Sequence, residues 1–338
     1  NGAIFSVVSS QYSAVSKMKK SFSSLISLSL VLAYGYYKIY QAPSIRHQVP
    51  LKLCLIQANI PPYQKWDEEL KKVIIEKYIL LSRVAAKKNP HFIIWPETAF
   101  PGFWEEEKEL REKVLNLVRE INTAILVGAP TLERNLSYNS AILISEKGEE
   151  NFRYRKIHLV PFGEYIPFPR IFGFLQKRFS IGDYSRGKEY TVFTYRFPFV
   201  ISEFSVLICF EDIFPSLVRK FVQKKAEFLI NITEDGWYGK SPASFQHLQA
   251  LVFRAIENRR YIVRSANTGY SCIVSPWGKI VSELKDDRGE KLFIMGTLTG
   301  EIFFHSERTF YTHFGDWFVF ICFVFFLLNF MRNKKIIL

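Results

Sequence analysis

The stretch VLICFED, residues 206–212, places a cysteine at the end of an apolar strand and directly before two acidic residues. A Phe-Pro pair follows and begins a helix, so Cys209 lies at a strand-to-helix turn. Such a turn exposes a nucleophile, and nearby helix amides lower the pKa of a thiol. The alternative, a small buried hydrophobic residue, fits Cys54 and Cys272 better than Cys209. This segment therefore predicts a cysteine nucleophile at a strand end.

Strands and helices alternate on both sides of this segment. Apolar stretches predict strands at residues 51–59, 91–95, 124–129, 140–145, 205–209, 228–232, 261–265, 271–275 and 292–297. Apolar residues at helical spacing predict helices at residues 67–88, 105–122, 215–225 and 244–258. Strands that alternate with helices and are followed by paired strands predict an α/β fold with layered sheets.

Two further segments carry reactive side chains near the ends of predicted strands, where open α/β sheets place their sites. In IIWPE, residues 93–97, Glu97 is a candidate general base, and the alternative is a solvated loop carboxylate. In YRKIHLVPFGEY, residues 154–165, Lys156 is a candidate oxyanion-stabilising cation, and the alternative is an ordinary surface lysine. His158 is interpreted as structural. The three segments in this order indicate an active site more specifically than any one of them does alone.

The composition favours a membrane surface over nucleic acid as a partner. Of the 338 residues, 48% are hydrophobic and 16% aromatic, and the formal net charge is +13. The basic residues are dispersed, without a basic helix or an RNA-binding aromatic signature, so no nucleic-acid partner is predicted. The four cysteines show neither a CxxC pair nor a metal-ligand spacing, so no disulfide framework, metal or organic cofactor is predicted.

Two apolar stretches predict membrane helices, at about residues 21–40 and at 317–331, with a buried core helix as the alternative for each. Basic residues precede the first stretch and follow the second, so the positive-inside rule places both ends in the cytoplasm. The predicted parts are the end of an N-terminal transmembrane bundle (1–42), an extracytoplasmic catalytic domain (43–314), and a C-terminal transmembrane helix with a basic cytoplasmic tail (315–338). Because the chain begins without methionine, we expect it to be N-terminally incomplete.

Motifs across residues 52–330 resemble those of a known family. The glutamate of WPE, the lysine of YRKIHLVPFGEY and the cysteine of ICFED resemble the Glu-Lys-Cys triad of the nitrilase superfamily. Within it, HLVPFGEYIP, the run NITEDGWYGKSPASFQHLQALVFRAIENRRYIVRSANTG and TFYTHFGDW resemble the bacterial apolipoprotein N-acyltransferases. The resemblance implies a nitrilase-like α-β-β-α sandwich domain tethered by transmembrane helices at both ends, in a family with more membrane spans than can be recognised here.

The resemblance also implies a mechanism. Glu97 would accept the proton of Cys209, the thiolate would attack a phospholipid ester, and Lys156 with the backbone N–H of Phe210 would hold the oxyanion. The thioester would then acylate the N-terminal amine of a diacylglyceryl-cysteine lipoprotein in a ping-pong transfer. The resemblance places this reaction in a multi-pass, monomeric protein of the bacterial inner membrane, with its catalytic domain on the periplasmic face.

Further site residues follow from the resemblance. They are Glu164 as another active-site acid, Glu211 as support for the loop around the nucleophile, and Trp66, Asn139, Trp237 and Tyr238 as substrate-binding residues. Two departures from the family pattern, Phe210 for a common Tyr and Thr233-Glu234 for a more usual Ser/Asn pair, remove no reacting atom. Internal salt bridges are expected of Arg254, Glu257, Arg260 and Arg264.

Two other functions stay open. A membrane-tethered carbon–nitrogen hydrolase would use the same three residues, with water instead of an amine resolving the thioester. A scaffold on an inactive fold would have lost a member of the triad, whereas all three residues are present. The predicted membrane segments and the aromatic excess favour the acyltransferase.

Overall fold

The protein folds into two compact units, residues 1–47 and 48–338. The computed structural model describes residues 22, 25–26, 28–37, 49–174, 183–197, 199, 201–305 and 307–334. In the first unit, residues 28–37 are helical and mostly exposed. The second unit contains the strands and all of the reactive residues predicted from the sequence.

The described strands of the second unit form two six-stranded sheets. The first sheet comprises β1 (Leu51–Gln57), β2 (Phe92–Ile94), β3 (Ala124–Glu133), β4 (Leu136–Ile144), β5 (Glu150–Arg155) and β12 (Gly296–Ile302), in the order β12-β1-β2-β3-β4-β5. The second comprises β6 (Phe193–Arg196), β7 (Ile201–Ile208), β8 (Phe228–Thr233), β9 (Tyr261–Ala266), β10 (Cys272–Val274) and β11 (Ile280–Glu283), in the order β11-β10-β9-β8-β7-β6. β1, β2 and β3 are parallel, as are β7, β8 and β9, so the loops that follow them leave each sheet at one edge.

Helices connect and cover these strands. They are α1 (Lys71–Ala86), α2 (Lys108–Ile121), α3 (Pro169–Phe172), α4 (Pro215–Gln223), α5 (Ala243–Asn258), α6 (Phe310–Phe314) and α7 (Trp317–Lys334). Short 3-10 helices lie at Pro62–Trp66, Cys209–Ile213 and Gly236–Tyr238. Each of these three short helices begins within six residues of the end of a parallel strand.

Side chains of the first sheet alternate between two cores. In β1, Leu53 and Leu55 belong to a core shared with the second sheet, in which the rings of Phe92 and Phe204 lie 5.7 Å apart. Cys54 and Ile56 face the opposite way, into a core with α1 and α2. α4 and α5 bury their apolar faces with the second sheet. The layers are therefore α-β-β-α, and the predicted α/β fold is confirmed.

The structure corrects four strand predictions. The strands β5, β6 and β11 were not predicted. All three are edge strands, and polar residues interrupt the apolar pattern in each of them. The strand predicted at 292–297 is wrong for most of its length, since β12 runs from Gly296 to Ile302. Phe293 has a φ of +57° and cannot continue a strand.

The described residues include no helix that is both long enough and apolar enough to span a membrane. Residues 21, 23–24, 27 and 38–40 of the first predicted span lie outside the described residues. The spans at 21–40 and 317–331 and the domain boundaries at 42/43 and 314/315 stay predictions.

Candidate active site

Cys209 lies at a strained turn at the end of β7. The strand ends at Ile208, and Cys209 begins the 3-10 helix Cys209–Ile213. Its φ of +54° is in the left-handed region, which a residue with a side chain seldom adopts. The Asn231 side chain on β8 donates to the carbonyl oxygen of Cys209 at 3.1 Å and holds the turn. Cys209 is 7% exposed, so the candidate nucleophile lies inside the protein.

Glu211 connects this turn to the loop that carries Lys156. Its carboxylate accepts hydrogen bonds from the backbone N–H groups of Ile208 at 2.8 Å, Ile157 at 2.7 Å and His158 at 3.1 Å, and from the Tyr154 hydroxyl at 2.8 Å. Burial raises the pKa of the Glu211 carboxyl to about 7, although these hydrogen bonds oppose the shift. The nucleophile turn and the lysine loop are thus held by one buried side chain.

Lys156 lies between two carboxylates. Its Nζ is 3.3 Å from Oε1 of Glu97 and 2.9 Å from the Glu164 carboxylate. Nδ2 of Asn139 donates to both acids as well, at 2.7 Å to Glu97 and 2.8 Å to Glu164. The backbone N–H of Val160 donates to Glu164 at 2.8 Å. The structure therefore brings together the glutamates and the lysine that the sequence singled out from separate segments.

The electrostatics of this cluster raise the pKa of both Cys209 and Lys156. Burial raises the pKa of Cys209 well above its ordinary value, and the charge of Glu97 raises it further, while Lys156 opposes both. Burial lowers the pKa of Lys156, but the charges of Glu97, Cys209 and Glu164 outweigh burial, so the pKa of Lys156 is raised. Burial and the carboxylates around Cys209 therefore disfavour the thiolate form.

The turn that carries Glu97 is fixed by close packing against β3. Glu97 follows β2 and the residues Trp95 and Pro96, and Trp95 is anchored by a hydrogen bond of its Nε1 to Ser82 at 2.9 Å. A Cβ atom at Gly128 on β3 would lie 2.2 Å from the Pro96 carbonyl oxygen and 2.8 Å from Cα of Glu97. Only glycine permits this approach, so Gly128 helps to set the position of the acid.

The aromatic residues expected to contact substrate lie at the surface of the site. Trp66 is 49% exposed and Trp237 69% exposed, and the segments that carry them are adjacent, because a Cβ at Gly236 would lie 2.7 Å from the Pro62 side chain. Tyr238 is partly buried. Asn139 is buried and bridges the two acids, and its contact with substrate stays a prediction.

A second buried polar network lies behind the nucleophile turn. His247 on α5 contacts Asp212 at 2.9 Å and Asp235 at 3.1 Å, and Arg264 on β9 donates to the same two acids at 3.1 Å and 2.9 Å. The Phe210 ring stacks on His247 with ring centroids 4.5 Å apart. The network thus supports the residue whose N–H was predicted to bind the oxyanion.

Salt bridges expected of the arginines are formed in part. Arg264 pairs with the acids of this network, and Arg254 pairs with Glu257 at 2.6 Å. Arg260 instead donates to backbone carbonyl oxygens, including that of Glu307 at 2.6 Å. The sequence analysis missed Asp212, Asp235 and His247, although an arginine in the apolar strand β9 signals buried acidic partners.

The interpretation of His158 as structural agrees with its stacking on Phe214 at a centroid distance of 4.2 Å. Over the part of the chain that the structure describes, no group of three or more His, Cys, Asp or Glu side chains is arranged to hold a metal ion.

Solved structures share this fold. A mutant of the amidase from Nesterenkonia sp. AN1, with an acetamide moiety added covalently at its active site cysteine, has a TM-score of 0.57 at 18% identity, over 75% of this chain and 90% of that chain. Saccharomyces cerevisiae Nit3, a member of the nitrilase superfamily, has a TM-score of 0.56 at 18% identity, over 78% of this chain and 93% of that chain. Over the matched residues, the sandwich of this chain has the fold of these two proteins.

The family model for carbon-nitrogen hydrolase matches residues 52–304, and the chain belongs to this family. The apolipoprotein N-acyltransferase of Geobacter metallireducens is 37% identical over 305 residues, which are 88% of this chain and 56% of that protein. Apolipoprotein N-acyltransferase 2 of Treponema denticola is 34% identical over 304 residues, 84% of this chain and 55% of that protein. The chain therefore spans about half the length of the curated relatives it matches.

Proposed function

We propose that the protein transfers an acyl chain from a phospholipid to the N-terminal amine of a diacylglyceryl-cysteine lipoprotein, through a thioester on Cys209. The observation that carries the proposal is the buried Lys156 ammonium between Glu97 and Glu164, in a chain 37% identical to the Geobacter metallireducens acyltransferase. A thiol with a base beside it and a fixed cation can form and resolve an acyl-enzyme.

In the first half-reaction, the Glu97 carboxylate takes the proton of the Cys209 thiol, and the thiolate attacks the ester carbonyl carbon. The Lys156 ammonium and the backbone N–H of Phe210 stabilise the oxyanion that forms. The intermediate then expels the lysophospholipid oxygen, which takes the proton back from Glu97. These steps leave a thioester on Cys209 and return Glu97 to its original carboxylate form.

In the second half-reaction, the α-amino group of the lipoprotein cysteine attacks the thioester, and Glu97 takes a proton from the amine. The intermediate expels the Cys209 thiolate, which recovers the proton from Glu97. The products are an amide and the free enzyme. Exclusion of water from the buried cluster favours the amine over hydrolysis.

The remaining site residues support these steps. Glu164 holds Lys156 by accepting from its ammonium group, and Asn139 holds the two acids in place by donating to both Glu97 and Glu164. Glu211 holds the turn of Phe210 against the Lys156 loop. The residues proposed to contact the lipid substrates are Trp66, Trp237 and Tyr238.

We also propose that the chain works at the bacterial inner membrane, with its catalytic unit on the periplasmic face. The side chains of residues 317–328 on α7 are exposed and apolar, among them Phe318, Phe320 and Phe326. Clustered exposed apolar residues mark contact with lipid or protein. Co-sedimentation with phospholipid vesicles tests the proposed membrane location. A chain that stays in the supernatant would refute this location.

The first experiment is intact mass spectrometry of the purified chain after incubation with phosphatidylethanolamine. We expect an added acyl group that neutral hydroxylamine removes, because hydroxylamine cleaves thioesters. Cys209→Ala should carry no adduct, whereas Cys322→Ala, at an exposed cysteine on α7, should keep it. Absence of an adduct on the folded wild-type chain would refute the phospholipid as donor.

The second experiment separates transfer from hydrolysis. The acylated chain is mixed with a synthetic peptide that has an N-terminal diacylglyceryl-cysteine, beside the same peptide with an acetylated N-terminus. An acyltransferase consumes the thioester only with the free amine and yields an amide that resists hydroxylamine. Release of fatty acid at the same rate with either peptide would support the carbon–nitrogen hydrolase instead.

A further inference from the structure

A second buried ion pair lies beside the Glu97 turn. The Lys65 ammonium contacts the Glu234 carboxylate, and each side chain is 4% exposed. Lys65 Nζ also donates to the carbonyl oxygen of Glu97 at 3.2 Å and to the Thr98 hydroxyl at 3.1 Å. These three contacts match the three protons of the ammonium group.

Glu234 holds the same turn from the other side. Its backbone N–H donates to Oε2 of Glu97 at 2.8 Å, so this oxygen is fixed opposite to Oε1, which faces Lys156. The Glu234 carboxylate itself accepts from Asn267 Nδ2 at 2.6 Å and from the backbone N–H of Gly236 at 2.9 Å. The Lys65 side chain therefore contacts the main chain of Glu97, and the backbone N–H of Glu234 contacts the Glu97 carboxylate.

The pair joins loops from both sheets. Lys65 follows β1, Glu97 follows β2, Glu234 follows β8 and Asn267 follows β9, and all four strands end at the edge where Cys209 lies. Thr98 has a φ of +45°, which is strained for a β-branched residue and persists only where neighbours over-determine it. The contact of Lys65 with Thr98 is one such restraint.

Resting on the roles proposed above for Glu97 and Cys209, we propose that Lys65 and Glu234 are positioning residues that hold the Glu97 carboxylate in the orientation in which it takes the thiol proton. A buried ion pair costs several kcal/mol of desolvation, and an apolar pair of similar volume stabilises a fold equally well. Stability alone therefore does not explain charges at this place, whereas orientation of the neighbouring base does.

Charge balance makes the proposal testable by pH dependence. The pair is neutral as a whole, so removing one partner leaves a single charge next to Glu97, the proposed base for Cys209. The other titratable and charged groups that face Glu97 and Cys209 are Lys156, Glu164, Tyr184, Asp235 and Tyr238. None of these is changed by substitution of the pair, so each variant differs from the wild type by the charge that it lacks.

The experiment measures the rate of iodoacetamide alkylation of Cys209 across the neutral and alkaline pH range, with peptide mass spectrometry to locate the label. The variants are Lys65→Met, Glu234→Gln and the double variant, all in the full chain with Cys322→Ala. An unpaired Glu234 disfavours the thiolate, so Lys65→Met should shift the profile up by about one pH unit. An unpaired Lys65 favours the thiolate, so Glu234→Gln should shift it down by about one unit.

The double variant separates positioning from charge. The midpoint of its pH profile of Cys209 alkylation should return to the wild-type value. Its alkylation rate should nevertheless fall by about tenfold or more, because Glu97 is no longer held for proton transfer. A matched pair of substitutions at an exposed ion pair, Glu76→Gln with Lys113→Met, should change neither quantity. Shifts of the two single variants in the same direction, or a double variant with the wild-type rate, would overturn the proposal.

If a single variant fails to fold, the double variant still decides, since it buries no unpaired charge. Thermal melting of each variant identifies such a failure. Iodoacetamide is not a lipid, so a chain that forms no acyl adduct with phosphatidylethanolamine fails the proposed function and leaves this test intact.

Discussion

Replacing Glu211 with glutamine removes one of two acceptor oxygens from a buried group that receives four hydrogen bonds. The donors are the backbone N–H groups of Ile157, His158 and Ile208 and the hydroxyl of Tyr154. The new amide NH2 has to face at least one of them. Losing a charge-assisted hydrogen bond costs about 1.5–3 kcal/mol, and the unsatisfied donor costs about 1–3 kcal/mol more. We therefore expect the free energy of unfolding to fall by about 4 kcal/mol, and the melting temperature by about 10 °C.

Activity should fall as well, because Glu211 holds the Cys209 turn against the Lys156 loop. A displacement of about 1 Å between reacting groups costs about 100-fold in rate. The assay is the rate of acyl-enzyme formation from phosphatidylethanolamine, followed by intact mass at about pH 8, where the carboxyl group is ionised. Glu301→Gln, at an exposed glutamate on β12, is the control. A Glu211→Gln variant with the wild-type melting temperature and rate would refute this role of Glu211.

Three further predictions follow from the site. Gly128→Ala should slow acyl-enzyme formation by about 100-fold, because the added methyl group overlaps the main chain at Glu97; an unchanged rate would show that the acid tolerates displacement. Lys156→Met should slow the same step by at least about 100-fold, since it removes a donor to the oxyanion; Lys156→Arg, which keeps the charge, should retain more activity. Burial raises the pKa of Glu211 to about 7, above its ordinary value. The folded state then binds more protons than the unfolded state. The free energy of unfolding should therefore fall by about 3 kcal/mol as the pH rises from about 4.5 to about 7. Chemical denaturation across this pH range should show the fall in the wild type and not in Glu211→Gln.

The sequence was sufficient to predict those features of the site that depend on local pattern. Apolar runs that end in a reactive residue predicted Glu97 and Cys209 at strand ends, and parallel strands bring such ends to one edge. Successive side chains of a strand point to opposite faces of the sheet. Leu53 and Leu55 on β1 therefore lie in one core, and Cys54 and Ile56 lie in the other.

Other features depend on contacts between distant parts of the chain, which no local pattern specifies. Lys65 and Glu234 are 169 residues apart, and each taken alone is typical of a surface residue. The depth of Asn139 in the cluster likewise depends on the pairing of β4 with β3 and β5. Edge strands such as β11 were missed because their exposure removes the apolar periodicity on which strand prediction depends.

In the mechanism proposed for Cys209, the charge count of the cluster explains why an internal base is needed. With Glu97 and Glu164 as carboxylates, Lys156 as an ammonium and Cys209 as a thiol, the cluster carries one net negative charge. Transfer of the thiol proton to Glu97 leaves this net charge unchanged and moves the negative charge from oxygen to sulfur. Loss of the same proton to solvent would add a second negative charge to a buried site, at a desolvation cost of several kcal/mol. Burial raises the pKa of Cys209 for the same reason, so the proposed mechanism requires that the thiol proton pass to Glu97 and not to solvent.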